Sequence, residues 1–132
     1  MTHSTNNSMN IHISHLICDC DGVLLDSESI ALSVLHRQLT PYLSHSMQPS
    51  ILHSAIAERL GMMTDQLLDE INREFKLGLV ATDYSAINAV VSRACSDEVN
   101  PVPGVRQALA AIALPKAVAS NSSAGANHPG AR

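Results

Sequence analysis

Apolar residues follow two different patterns along this chain. Short stretches rich in apolar residues lie near the two ends, at residues 11–18 and 117–119, and between them apolar residues recur every three or four positions. Gly22 follows the first run closely, and the second is followed directly by Ser120 and Asn121. The first stretch predicts a buried strand that runs into a loop and the second predicts a small apolar strand, whereas the spacing between them predicts helices.

The middle of the chain predicts four helices. The first ends before Pro41, the second leads to Gly61 and the third closes at Gly78, because proline and glycine interrupt helices. The expected N-terminal caps of the first, third and fourth helices are Asp26 or Ser27, Thr64, and Thr82 or Asp83. After the breakers at residues 101–104, a short fifth helix is predicted before Pro115.

The order of these elements predicts a core that is interrupted by an insert. Residues 11–26 and 101–123 carry both strands and form a partial core, whereas residues 27–100 show no strand signal and are interpreted as an all-helical cap. Residues 1–10 are polar and residues 124–132 lack periodicity, so both segments are predicted to be disordered tails.

Charge and composition exclude several classes of partner. The net charge is −4, and the lysines and arginines are scattered, so no basic stripe for nucleic acid is present. No apolar run reaches the roughly 18 to 20 residues that span a membrane, and the polar start does not resemble an export signal. We therefore expect a cytoplasmic protein whose three cysteines are reduced, buried structural thiols.

The first strand leads into a pair of carboxylates with distinctive spacing. Asp19 and Asp21 are separated by one residue and followed by Gly22, at the carboxyl end of a strand, where ligands bind in open parallel sheets. Asp19 could attack phosphorus while Asp21 exchanges a proton with the leaving oxygen and then with water. Such a site needs a hard cation, so Asp19 and Asp21 are also candidate Mg²⁺ ligands. A plain loop or a fragmentary calcium site is the alternative interpretation.

The surrounding residues resemble a known motif. Residues 16–28 read Leu-Ile-Cys-Asp-Cys-Asp-Gly-Val-Leu-Leu-Asp-Ser-Glu, which resembles the first motif of the haloacid dehalogenase superfamily. The Asp-Ser-Glu ending is similar to the branch that contains phosphoglycolate phosphatase and beta-phosphoglucomutase. This resemblance implies an α/β fold with a Rossmann-like parallel-sheet core and an inserted helical cap. Family dehalogenases lack an acid at the position of Asp21, so the resemblance implies phosphate chemistry.

The second strand resembles the second motif of the same superfamily, in which a strand ends in Ser or Thr. By this resemblance Ser120 and the amide of Asn121 would bind the transferred phosphate, beside Gly22 of the first motif. Arg59 and Gly61 fall near the positions where family caps contact substrates. The implied substrate is a small phosphorylated metabolite such as a sugar phosphate. Glu28 is interpreted as a first-turn helix residue rather than a catalytic group.

The resemblance covers residues 11–123, and superfamily members continue beyond the second motif with a lysine and an acidic pair. Lys116 precedes Ser120, and no acidic residue follows Glu98, so we expect an incomplete core and a truncated product. Three hypotheses remain open: a Mg²⁺-dependent phosphatase, a sugar phosphomutase with the same residues, and an inactive fragment that acts as an interaction module. The oligomeric state is not predicted.

Overall fold

The structure, a computed structural model, describes residues 12–120. Its elements are β1 (Leu16–Asp19), α1 (Ser27–Leu39), α2 (Pro49–Ala57), α3 (Thr64–Phe75), α4 (Ala81–Glu98), α5 (Val105–Ala111) and β2 (Lys116–Ala119). A 3-10 turn, Thr40–Tyr42, follows α1. The predicted order of elements is confirmed. The two predicted tails and Asn121 lie outside the described residues.

The two strands form a parallel pair in which Asp19 lies opposite Ala119. A parallel pair needs a crossover between its strands, and the five helices supply it here. The mixed α/β class with a parallel sheet is therefore confirmed. Because parallel strands end at the same edge, this register brings the segments that follow Asp19 and Ala119 side by side.

Burial of the strands differs from the sequence prediction. Ile17 is 71% exposed and Val118 is 60% exposed, and every residue of β2 is exposed. The prediction of a buried first strand was therefore wrong for Ile17, while Leu16 and Cys18 are partly buried. The helix that leads into β2, α5, also buries none of its residues. Apolar composition indicated the strands correctly but did not determine what covers them.

The hydrophobic core lies between the helices of the predicted cap. All buried apolar residues among those described fall within residues 34–94, on α1 to α4 and the α3–α4 connection. Six large side chains are almost completely inaccessible: Leu35, Leu39, Leu52, Ile56, Leu68 and Ile71. The amphipathic spacing of the sequence thus produces one shared core, consistent with helices that bury one face each. The division of the chain at residues 26 and 100 stays a prediction.

Helix termini agree with the sequence only in part. Asp26 caps α1 as predicted, because its carboxylate accepts a hydrogen bond from the Ser29 amide at 3.4 Å. Thr64 is instead the first residue of α3, and the cap position belongs to Met63. Val80 precedes α4, and Asp83 reaches back to accept from the Val80 amide at 2.9 Å. Asp83 therefore satisfies the helix start from the third helical position.

The two chain segments that connect the sheet to the helices, β1 to α1 and α4 to α5, lie side by side. The Asp26 amide donates to the Asn100 carbonyl at 2.9 Å, and the Val102 amide donates to the Leu24 carbonyl at 3.0 Å. These bonds fix where α1 leaves the first motif and where α4 returns. None of the described helices is long and apolar enough to cross a bilayer.

Candidate active site

Asp19 and Asp21 lie where β1 ends and turns toward α1. The Asp19 carboxylate is exposed and accepts a hydrogen bond from the Cys20 amide at 2.7 Å. The turn that follows is closed by the Leu24 and Leu25 amides, which both donate to the Cys20 carbonyl, and by the Gly22 amide, which donates to the Leu25 carbonyl at 2.8 Å. This tight turn keeps both carboxylates at the edge of the sheet.

Two hydroxyl groups hold the Asp21 carboxylate. Ser27 donates to Oδ1 of Asp21 at 2.8 Å, and Ser120 donates to Oδ2 at 3.4 Å. Ser27 is buried in the first turn of α1, whereas Ser120 follows β2. The parallel register therefore brings the two predicted site residues Asp21 and Ser120 together across 99 positions of sequence.

Gly22 adopts a left-handed backbone conformation, with φ of 72°. A side chain there would be strained, and its Cβ would lie only 2.7 Å from Cδ of Glu28 and 2.9 Å from both Glu28 carboxylate oxygens. Glu28 lies in the first turn of α1, as the sequence predicted. Its carboxylate also packs over Gly22, a contact that the sequence did not predict.

We expect Gly22→Ala to cost more stability than the matched substitution Gly78→Ala. Gly78 has almost the same φ, 73°, but a Cβ at that position would meet nothing within 4 Å, so it reports backbone strain alone. That strain is about 1–2 kcal/mol, and Gly22→Ala adds displacement of Glu28. Urea unfolding would measure both costs. In a Glu28→Ala background, the loss of unfolding free energy caused by Gly22→Ala should fall to that caused by Gly78→Ala. If the two glycine substitutions cost the same in the unmodified chain, the expected contact with Glu28 would be contradicted.

A cleft of about 400 Å³ connects the carboxylates to the helices. Asp19, Asp21 and Glu28 are neighbours in its lining, since the Glu28 carboxylate packs over Gly22. The other walls are formed by α1, the α2–α3 connection, the start of α3 and one face of α4. This volume falls within the usual range for a small-molecule site. Among the described residues, no lysine or arginine lines the cleft.

Two thiols near the carboxylates are poor nucleophiles. Burial, followed by the negative charges of Asp21 and Asp19, raises the pKa of the Cys20 thiol. Burial, followed by the charges of Asp21 and Glu98, likewise raises the pKa of the Cys95 thiol, which lines the cleft. All three cysteines are free and are partly buried rather than buried as expected. A raised pKa lowers the thiolate fraction of Cys20 and Cys95, which favours the carboxylates as the nucleophilic groups of the cleft.

Neither of the cationic residues considered from the sequence, Arg59 and Lys116, lines the cleft. Arg59 donates to Glu70 at 3.0 Å, to Glu74 at 2.5 Å and to the Ala55 carbonyl at 2.8 Å, and it does not line the cleft. Gly61 does line the cleft, and the substrate contacts expected of Arg59 and Gly61 stay predictions. The Lys116 ammonium donates to carbonyls of the α5–β2 connection.

The sequence did not predict that Ser27 would donate to Asp21, that Glu28 would pack over Gly22, or that apolar residues of the α2–α3 connection, α3 and α4 would line the cleft. A signal existed for the first two, because both lie in the first helical turn directly after the carboxylate motif. No local signal indicated which cap residues would face the carboxylates, since that depends on how α2 and α3 pack.

Oxygen donors near the end of β1 suit a hard cation, although they are few. No group of three acidic, histidine or cysteine side chains suited to a metal occurs within residues 12–120. Mg²⁺ commonly uses only one or two protein carboxylates and completes its shell with water and substrate phosphate. Asp19 and Asp21 fit that arrangement.

The fold is similar to that of solved haloacid dehalogenase-like proteins. A conserved haloacid dehalogenase-like protein of unknown function from Agrobacterium tumefaciens matches with a TM-score of 0.69 and 29% identity, covering 86% of this chain and 49% of that one. A haloacid dehalogenase family hydrolase from Deinococcus radiodurans, solved with bound phosphate and sodium, matches with a TM-score of 0.60 and 25% identity, covering 87% and 49%. The resemblance seen in the sequence is confirmed.

A third structure, of a proposed phosphoglycolate phosphatase from Lactobacillus plantarum, shares the fold at a TM-score of 0.56 and 19% identity, with 86% of this chain and 52% of that chain covered. The chain thus spans about half the length of the solved structures that it matches. No family model and no curated protein matches the sequence.

Proposed function

We propose that this chain carries the nucleophile half of a Mg²⁺-dependent phosphomonoester hydrolase. One observation chiefly supports the proposal: Asp21, after β1, accepts a hydrogen bond from Ser120, after β2, and both Asp19 and Asp21 line a cleft of small-molecule size. The similarity to haloacid dehalogenase-like hydrolases agrees with this chemistry. A small phosphorylated metabolite, such as a sugar phosphate, is the proposed substrate.

In the proposed reaction an oxygen of Asp19 forms a bond to phosphorus, and the bond between phosphorus and the alcohol oxygen breaks. Asp21 gives its proton to the departing alcohol. Water then attacks the aspartyl-phosphate, Asp21 takes up a proton from it, and Asp19 and inorganic phosphate are released. The Ser27 hydroxyl orients Asp21, to which it donates at 2.8 Å. Ser120 turns its hydroxyl from Asp21 to a phosphoryl oxygen when substrate is bound.

Asp19 and Asp21 would also hold Mg²⁺, through a side-chain oxygen of Asp19 and the backbone carbonyl of Asp21. When bound, the ion offsets the negative charge of the phosphate and the carboxylates and so lets Asp19 approach phosphorus. Asn121 is proposed to add a backbone donor to the phosphate, but it lies outside the described residues.

Trapping the covalent intermediate tests this proposal. We expect a radiolabelled phosphomonoester with Mg²⁺ to leave label on the peptide that contains Asp19, and hydroxylamine to release it, because acyl phosphates react with that nucleophile. With an aryl phosphate, whose leaving group needs no proton, Asp21→Asn should increase the trapped amount, because only the second step then needs Asp21. Peptide mapping by mass spectrometry gives the position. Label on Ser120, or no label on any peptide, would count against the proposal.

An interaction module is the second candidate, and the confinement of the buried core to residues 34–94 favours it. Such a module would bind no phosphomonoester and form no aspartyl-phosphate. A phosphomutase would form the same intermediate, and isomer formation from a sugar phosphate distinguishes it from hydrolysis.

A further inference from the structure

The walls of the cleft differ in character from the end that carries the carboxylates. Within residues 12–120, the lining beyond Asp19, Asp21 and Glu28 is uncharged, and its helical side is mostly aliphatic or thioether. The apolar residues nearest the α2–α3 connection and on the facing helices are Leu60, Met62, Met63, Leu67, Val91 and Val99. A charged group placed against this wall would lose its water and gain no ionic partner.

The few polar groups along the walls are already largely used within the protein. Ser27 donates to Asp21, Ser96 donates to the Ser92 carbonyl at 2.9 Å, and the Cys95 thiol faces the Ser27 carbonyl at 3.8 Å. Thr64 and Ser92 are the other hydroxyl groups of the lining. The walls therefore offer little hydrogen bonding to a ligand with many hydroxyl groups.

The start of α3 is the feature that could favour an anion here, because helix N-termini carry partial positive charge. Asp65 already lies in the first turn of α3 and offsets that charge. Its carboxylate also accepts a hydrogen bond from the Asn88 side chain at 2.5 Å. The charge balance of the cleft thus remains negative and is concentrated at the phosphate end.

From this lining we infer that the cleft selects phosphomonoesters whose alcohol part is uncharged and largely apolar. This inference rests on the proposed function, since it places the phosphate at Asp19. A phosphorylated acid or a bisphosphate would direct a second anion toward an apolar wall and into the field of three carboxylates. A sugar monophosphate carries no second charge, but the phosphate ester of a deoxygenated sugar or a short-chain alcohol suits the apolar wall better.

Binding of three matched esters tests the inference on the full chain. The probes are butyl phosphate, its analogue ending in a carboxylate, and its analogue ending in an ammonium group, each titrated with Mg²⁺ and followed through labelled methionine methyl groups. Butyl phosphate should shift the methyl signals of Met62 and Met63 and leave Met47, which lies outside the cleft, unchanged. It should bind at least about tenfold more tightly than either charged analogue.

Equal or tighter binding of a charged analogue would overturn the inference, as would the absence of shifts at Met62 and Met63 with butyl phosphate. These methyl shifts do not depend on turnover. If butyl phosphate shifts them but no label forms on Asp19, the proposed function fails while the specificity of the cleft stands, so the two failures can be told apart.

A charge introduced into the wall provides a second test. Met63 is 64% exposed, so Met63→Lys should fold, and it should improve binding of the carboxylate analogue relative to butyl phosphate by about tenfold, because it supplies the missing partner. Ile51→Lys is the matched control, since Ile51 is 52% exposed on α2 and does not line the cleft. The same change of preference in both variants would overturn the inference.

Discussion

In Asp19→Asn we expect Mg²⁺-dependent phosphate release from a small phosphomonoester to fall by at least about 10³-fold, to the background rate. A carboxamide oxygen does not form a stable bond to phosphorus, and the substitution also removes one negative ligand from the proposed cation site. The fold should be preserved, because Asp19 is exposed and an asparagine oxygen can still accept from the Cys20 amide. Initial rates in a colorimetric phosphate assay measure the effect.

Asp26→Asn is the matched control for this prediction. It makes the same chemical change in the same segment, and asparagine caps a helix about as well as aspartate, so α1 should keep its start. We expect its rate to remain close to that of the unmodified chain. Equal rates in Asp19→Asn and the unmodified chain would mean that any phosphate release does not use Asp19, and would favour the interaction module.

Leu68→Ala is expected to destabilise the chain by about 2–5 kcal/mol. Leu68 lies on α3 and is completely inaccessible, surrounded by apolar residues of the shared helical core. Truncation to alanine removes buried apolar surface and leaves a cavity that the neighbouring helices fill only in part. Because whole domains are stable by only about 5–15 kcal/mol, much of the folded population could be lost.

Urea unfolding followed by far-ultraviolet circular dichroism measures this change. Gln66→Ala provides the control on the same helix, because Gln66 is exposed and surface substitutions usually change stability by less than about 0.5 kcal/mol. A cost for Leu68→Ala below about 1 kcal/mol would show that α3 does not pack into the core as described.

The helices were predictable because their signals are local. In α1, apolar positions three and four residues apart and the cap at Asp26 both operate within a few residues of sequence. The caps expected at Thr64 and Thr82 were wrong because the chain begins α3 and α4 after Met63 and Val80, and Asp83 reaches back from inside its helix. A cap residue is interchangeable with other means of satisfying the first amides, so sequence alone places helix starts less well than helix interiors.

Burial was less predictable than secondary structure. Ile17 lies in the strand that was predicted to be buried, yet it is exposed, as is Val118 in the neighbouring strand. An apolar side chain raises the preference of a segment for a strand, but its burial depends on which elements pack over it. That information is distributed over distant residues, and it is absent from the strand itself.

The sequence by itself determined the chemistry of the motif: two carboxylates and a glycine at a strand end, together with the helical spacing that follows them. These features act over a few bonds or a single helical turn, so they can be recognised without a structure. Only the tertiary structure decided that Ser120 donates to Asp21, that Glu28 packs over Gly22, and that an uncharged wall faces the carboxylates. Each of these three contacts depends on strand register or on helix packing. Both are set by the folded chain and cannot be read from the few residues around each position.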